Sequence, residues 1–385
     1  MADVFRIEML PALHGDCLLL EYGDAARPHR VLIDGGPIGA WNALSARLDA
    51  LPADQRELDL LVITHVDADH IEGCLKLLNH GELATFRDIW FNGWPHVGQQ
   101  LREPDGSAYA LATPPPPGQR SPMQGMEISV RIDGRQWNAA FGGAPVFVPA
   151  RGPLPVRELP GGLRWTLLSP TLPKLEKLRT AYERALTKAS IDAEDTEALR
   201  ARLDAKTALR GSDPSRRPTP AEILSSAALA AAPMDNAVAN GSSIAAIVEY
   251  QGRRLALLGD AHAPTLSDSL ARLAASLGEP RVRLDAIKLA HHGSIANLDE
   301  TLLSRVDCDT WLISTNGNLF NHPDTEAVAA IVKRARGQRL LFNYRSDRTA
   351  PWDDPALRET HRYTPVYPKS PESGLVLDLL SGAAS

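Results

Sequence analysis

Leu58-Asp59-Leu60-Leu61-Val62-Ile63-Thr64-His65-Val66-Asp67-Ala68-Asp69-His70 is the stretch on which the reading of this 385-residue chain turns. Its first half is a near-continuous apolar run, the pattern of a β-strand covered on both faces. That strand runs directly into His65, Asp67, Asp69 and His70. Four such side chains so close together cannot all enter a core uncompensated, because buried charge is costly. In a tight loop they can converge on cations instead. The plainer alternative is a solvated acidic turn with Asp69 capping the next helix; two histidines interleaved with two aspartates argue against it. The following helix is predicted from about Ile71 to near Gly81.

Working outward, two later segments share this texture. In Leu257-Leu258-Gly259-Asp260-Ala261-His262, an aspartate closes an apolar strand after a glycine, well placed to bridge two metals. In Lys288-Leu289-Ala290-His291-His292-Gly293-Ser294, a strand runs into paired histidines. Upstream, Phe5–Met9 and Cys17–Tyr22 read as a hairpin, and Arg30–Ile33 as a strand ending at Asp34-Gly35-Gly36. A helix is predicted over residues 41–51. Residues 94–160, rich in Gly and Pro and including Pro114–Pro117, read as surface loop. Residues 171–235 favour helices and read as an insertion. Nine basic residues there, from Lys174 to Arg210, face seven acidic ones, which predicts a solvated helical surface with intrahelical ion pairs. Strands at Ser243–Tyr250, Arg254–Leu258, Ala286–Leu289 and Trp311–Ser314, with helices at Leu266–Leu277 and Asp324–Arg336, complete an α/β pattern whose site lies at one sheet edge.

Lys288, set among apolar residues, needs a partner, and Asp285 is the nearest acid in sequence. His322, in Asn321-His322-Pro323-Asp324, lies between a strand and a predicted helix, and His14 lies just before Gly15-Asp16. His29, His80, His96 and His361 read as surface residues.

Hydrophobic residues at 44% and charged residues at 23% describe an ordinary globular chain. With 41 basic and 47 acidic residues, net −6, there is no global basic footprint for nucleic acid, though a local patch stays open. Cys17, Cys74 and Cys308 are too few and scattered for a disulfide framework and read as reduced core thiols. No stretch approaches the ~20 apolar residues of a membrane span, and no signal-peptide pattern opens the chain, so no membrane partner and a cytoplasmic location are expected. The oligomeric state is not legible.

Taken in order, Gly15-Asp16, Leu32 to Gly36, Thr64 to Gly73, Asn240-Gly241-Ser242-Ser243, Leu258 to Ala261 and Lys288 to Ser294 resemble the metallo-β-lactamase superfamily, in particular its ComEC-like competence-protein branch. The likeness spans nearly the whole chain except the insertion and the Pro-rich loop. It implies an αββα sandwich built from residues 1–170 and 236–385, with a helical insertion at 171–235. It also implies two divalent metal ions, Zn2+ or Mn2+. By the same likeness His65 and Asp67 match ligands of the first ion, and Asp69 and His70 ligands of the second. Asp260 matches the bridging carboxylate, and His292, with or without His291, the late histidine of the second ion. Asp34 would orient the histidine loop from behind. The family more often has histidine at the positions of Asp67 and Asn240, so the first site is richer in oxygen, which favours Mn2+ or mixed occupancy. Asp69 would orient an attacking water, while His291, His322 or Lys288 would supply a proton or stabilise phosphate charge. The implied function is a phosphodiesterase acting on DNA, RNA or a nucleotide. The alternatives are a hydrolase of a small ester, lactone or thioester, and a partner-binding module with a residual metal site.

Overall fold

A computed structural model describes residues 2–98, 101–104, 121–189, 218–225 and 233–385. The first sheet grows from the hairpin of β1 (Asp3–Met9) and β2 (Leu18–Asp24), in which Ile7 pairs with Leu20. Next come β3 (His29–Ile33), helix α1 (Trp41–Asp49), β4 (Glu57–Val62), helix α2 (Ala68–Leu77) and β5 (Thr85–Trp90). Two helices follow, α3 (Trp94–Val97) and α4 (Ser121–Ile132). The second sheet opens with β6 (Val156–Leu159) and β7 (Leu163–Ser169). Helices α5 (Leu172–Ala189), α6 (Pro220–Ser225) and α7 (Val238–Gly241) precede β8 (Ala245–Tyr250) and β9 (Arg253–Leu257). The remainder is α8 (Ala263–Leu277), β10 (Val282–Arg283), β11 (Ala286–Lys288), α9 (Glu300–Ser304), β12 (Val306–Asp307), β13 (Thr310–Ile313), α10 (Thr325–Arg334), β14 (Arg339–Phe342), α11 (Pro355–His361), β15 (Thr364–Val366) and β16 (Leu375–Asp378).

The protein is thus a mixed α/β structure. Its six-stranded sheet has the order β16-β1-β2-β3-β4-β5, and its eight-stranded sheet the order β15-β14-β13-β11-β9-β8-β7-β6. Alternation along the strands sorts the apolar residues into two clusters. Leu60, Val62, Ile7 and Leu20 of the first sheet join Trp165, Leu167, Val248 and Leu255 of the second in one. Leu61, Ile63, Leu19 and Leu32 turn the other way, toward Leu44, Ile71, Met126 and Leu175 of the helices. The unbroken apolar run of β4 is therefore explained: both faces are covered. Each fully buried Leu, Ile or Val here contributes about 1.5–3 kcal/mol.

Parallel pairing positions the site. β3 and β4 run side by side, as do β9, β11, β13 and β14, so their carboxyl ends deliver Asp34, His65, Asp260, His292 and Ser314 to one region.

Three local readings are corrected. α2 begins at Ala68, with Asp67 at its N-cap making no side-chain capping bond, so Asp69 and His70 lie in a buried first turn rather than in a loop. The Gly/Pro-rich stretch read as loop contains α3 and α4, because Met126, Ile128, Val130 and Ile132 find apolar cover despite the breakers around them. α5 is solvated on one face only: Arg179 pairs within the helix with Glu176 at 2.8 Å as predicted, but Leu172, Leu175, Leu178 and Tyr182 are buried and the helix packs on α3, α4 and α7. Pro114–Pro117 and the predicted helical stretches at 190–217 and 226–232 lie outside the described residues. The three cysteines are free and buried, and among the described residues no helix is long and apolar enough to cross a membrane.

α2 is seated by glycine. Gly35 N–H donates to His70 O at 2.8 Å and Gly73 N–H to Gly36 O at 2.8 Å, and a Cβ on Gly73 would sit 1.9 Å from Gly35 O. Gly73→Ala is expected to lower stability by about 1–3 kcal/mol through overpacking. Chemical denaturation of the variant beside the wild type checks this.

Candidate metal centre

The site is built on hydrogen bonds that leave each histidine only one free nitrogen. Asp34, just beyond β3, accepts from Thr64 N–H at 2.8 Å, Thr64 Oγ1–H at 2.7 Å and His70 Nδ1–H at 2.7 Å. The single Thr64 hydroxyl proton is thereby committed, so Thr64 Oγ1 accepts from His65 Nδ1–H at 3.0 Å. His292 Nδ1–H donates to Ser314 O at 2.9 Å. All three rings consequently present Nε2 to a common space, as metal-ligating imidazoles do.

Asp260 lies among them. Its Oδ2 is 3.4 Å from His70 Nε2, 3.7 Å from His65 Nε2 and 3.8 Å from His291 Nε2, while its Oδ1 is 3.9 Å from His292 Nε2. Asp69 Oδ2 is 3.4 Å from His292 Nε2, and Asp67 Oδ2, partly exposed, is 3.7 Å from His65 Nε2. Two overlapping sets, His65-His70-Asp260 and Asp16-His70-His292, hold donor atoms within 4.8 Å of one another.

These donors fit cations better than they fit each other. His70 Nε2 and His292 Nε2 face each other at 3.3 Å, so without a proton or metal between them two lone pairs collide. His65 Nε2 and Asp260 Oδ1 are buried with no hydrogen-bond partner among the described residues. Two unpartnered atoms aimed into one cluster of nitrogen and oxygen donors suit an ion there.

The electrostatics agree. Burial disfavours charge on every member. For His65 burial dominates, with the His70 charge adding to it, and its pKa falls to about 4. For His70 burial is outweighed by Asp260 and Asp34, which push it well above the usual histidine value. His292 is raised against burial by Asp260 and Asp16. Asp69 is held at about 2 because His292 and His70 outweigh its burial. Asp260 is driven below the carboxylate range by the surrounding histidines.

His291 stands at the outer edge, a quarter exposed, with Nε2 toward Asp260; burial is outweighed by Asp260 and Asp235, pushing it up to about 9. The His322 ring lies 5.2 Å from that of His291 and 3.5 Å from Asp324, with its pKa lowered by burial. Asn240 Nδ2 donates to Asp235 Oδ2 at 2.8 Å, while its Oδ1 is buried and unpartnered.

Lys288 is placed differently from the sequence reading. It is 1% exposed and donates to Asp16 Oδ2 at 2.7 Å and Leu289 O at 3.1 Å. Asp285 is engaged elsewhere, by Arg253 at 2.8 Å. A lysine so enclosed cannot reach a substrate phosphate; through Asp16, 3.4 Å from His292 Nδ1, it backs the metal-facing ring instead. Nor are two of the remaining histidines plain surface residues: His29 bonds Asp59, and His96 packs on Trp137 with its pKa lowered to about 4 by burial.

Sequence reasoning missed Asp16, Asp235 and Asn297 as site residues. Asp16, a lone charge before an apolar strand, carried a usable signal. Asp235 lies in an irregular segment and Asn297 at the end of a three-residue 3-10 helix, and neither carried one.

No family model matches the chain, and no curated protein matches it. Among solved structures, a CmlA beta-hydroxylase mutant aligns with a TM-score of 0.37 and 12% identity, over 98% of this chain and 54% of that one. The chain spans about half the length of that protein.

Two outcomes follow from the geometry. At neutral pH the raised His70 carries a proton that a divalent ion must displace, so affinity is expected to rise with pH until it is deprotonated. Calorimetry in buffers of different ionisation enthalpy should show proton release on binding, and pH-independent binding without release contradicts the assignment. Lys288→Met should destabilise by about 3–5 kcal/mol by leaving the Asp16 carboxylate buried and unpaired, and adding Asp16→Asn should recover part of the loss. Denaturation of the single and double variants measures both.

Proposed function

We propose that the protein is a metal-dependent hydrolase of the metallo-β-lactamase type and that its substrate is a phosphodiester. In this reading residues 1–170 and 236–385 form the αββα sandwich of the ComEC-like branch, and 171–235 is a helical insertion. The observation that carries it is the convergence of His65, His70, His292, Asp69 and Asp260, with unsatisfied inward-facing atoms, at the carboxyl ends of parallel strands from two sheets. His65, Asp67 and Asp260 would hold one ion, with Asn240 beside it. Asp69, His70, Asp260 and His292 would hold the other, more tightly. Zn2+ and Mn2+ both suit nitrogen and oxygen donors, and the carboxylates of the first set favour Mn2+. When bound, such a pair supplies Lewis-acid polarisation of the scissile group and an acidified water near neutral pH.

This chain's own residues do the rest. Asp34 holds the His70 ring through Nδ1–H and the start of the His65 loop through Thr64. Asp69 is ionised throughout the neutral range and orients the attacking water as an acceptor. His291 points Nε2 into the site, which suits proton exchange with the leaving oxygen, with His322 beside it. Lys288 acts from behind, through Asp16 and His292. Net charge −6 disfavours long polyanions, so short substrates or nucleotides are the better fit.

The test is turnover of bis-nitrophenyl phosphate and short single-stranded oligonucleotides with Mn2+ and with Zn2+. Asp69→Asn and His70→Ala should each cut turnover by about 100-fold or more with the fold retained by circular dichroism. Hydrolysis of lactones or thioesters with every phosphodiester untouched under both metals replaces this reading with the small-molecule one.

A further inference from the structure

Behind His291 lies a chain of polar side chains that the metal centre does not account for. Lys174, at the start of α5, places Nζ 2.6 Å from His262 Nδ1. A lysine side chain has only N–H groups to offer, so His262 Nδ1 must be the acceptor and the ring proton sits on Nε2. His262 is 5% exposed, and its Nε2 has no hydrogen-bond partner but faces Asp235 Oδ2 at 3.7 Å. Asp235 is the hub. Its Oδ1 accepts from Ala237 N–H at 2.8 Å, and its Oδ2 from Asn240 Nδ2 at 2.8 Å and Asn297 Nδ2 at 2.9 Å. Oδ2 also lies 3.6 Å from His291 Nδ1. Because Asn297 donates its amide to Asp235, its Oδ1 is the atom that faces His291 Nδ1, at 2.8 Å, and it accepts that proton.

One carboxylate therefore holds two histidines in opposite tautomers, His262 protonated on Nε2 and His291 on Nδ1. The only side chains at ion-pair distance from Asp235 among the described residues are these two rings. The positive charge of Lys174 reaches the hub through His262. The passage is built for it: a Cβ on Gly241 would meet His262 Cε1 at 2.9 Å and Lys174 Cδ at 3.1 Å, so only glycine lets both side chains lie there.

We propose that Lys174, His262 and Asp235 are positioning residues that fix the ring of His291, so that its Nε2 is aimed at the leaving group; this rests on the hydrolytic reading above. The relay ties the site to α5, an element outside the histidine-aspartate motifs. Removing a supporting partner of this kind typically costs about 10–100-fold in activity.

The experiment uses the full chain loaded with Zn2+ and combines steady-state kinetics on bis-nitrophenyl phosphate with 15N NMR of histidine-labelled protein. Lys174→Met is expected to let His262 take the Nδ1–H tautomer and to lower kcat about 10-fold, with KM within about 2-fold and two ions retained. Lys174→Arg, which keeps a donor facing Nδ1, should restore the tautomer and most of kcat. Asp235→Asn should lower kcat about 100-fold and release the His291 tautomer, and it carries the same readouts if Lys174→Met fails to fold. Unchanged ring tautomers in Lys174→Met and Asp235→Asn overturn the proposal, as does a rise in KM alone, which makes Lys174 a substrate contact. Should the wild type turn over no phosphodiester, the tautomers in the same samples decide this proposal by themselves, so its failure and that of the hydrolytic reading are separate results.

Discussion

The Asp34 carboxylate is the constraint on which the rest depends. It is fully buried just beyond β3, in a left-handed backbone conformation, and is compensated by three donors, two from Thr64 after β4 and one from His70 on α2. Those bonds lock the strand that carries His65 to the helix that carries His70. The backbone contacts between Gly35, Gly36 and Gly73 bring α2 close enough for the bonds to form. A buried carboxylate is tolerable only when fully hydrogen-bonded, so the site's geometry and the local stability share one cause.

A second layer of the same logic surrounds the centre. Asp16 and Lys288 compensate each other beneath His292, and Ser314 and Asn343 fix the loop beyond β13. His291 and His292 both adopt left-handed backbone conformations, which non-glycine residues hold only when the surroundings enforce them. Backbone strain at His291 and His292 beside the unpartnered His65 Nε2 and Asp260 Oδ1, at the carboxyl ends of parallel strands, is what a preorganised site looks like.

Much of the centre was legible because it is local. His65, Asp67, Asp69 and His70 follow one apolar strand, and Gly259-Asp260 and His291-His292 follow two others; period-2 alternation and chain continuity place such residues without any tertiary information. The start of α2 was misjudged because the motif's polar residues mask the helix, whose first turn is buried against the Asp34 turn. α4 was missed because proline and glycine around it spoke for loop, whereas apolar cover from α2 and α5 stabilises it.

The sequence by itself determined the alternation of strands and helices, the order of the motifs and the kind of donor atom each supplies, because these depend on neighbours along the chain. Only the tertiary structure decided that Lys288 meets Asp16 rather than Asp285, across 272 positions, and that Lys174 reaches His262. It alone made Asp235 and Asn297 partners of His291. The physical reason is that a buried charge takes whichever partner the packed sheets bring within about 3 Å, where desolvation makes pairing decisive, and no local pattern encodes that choice.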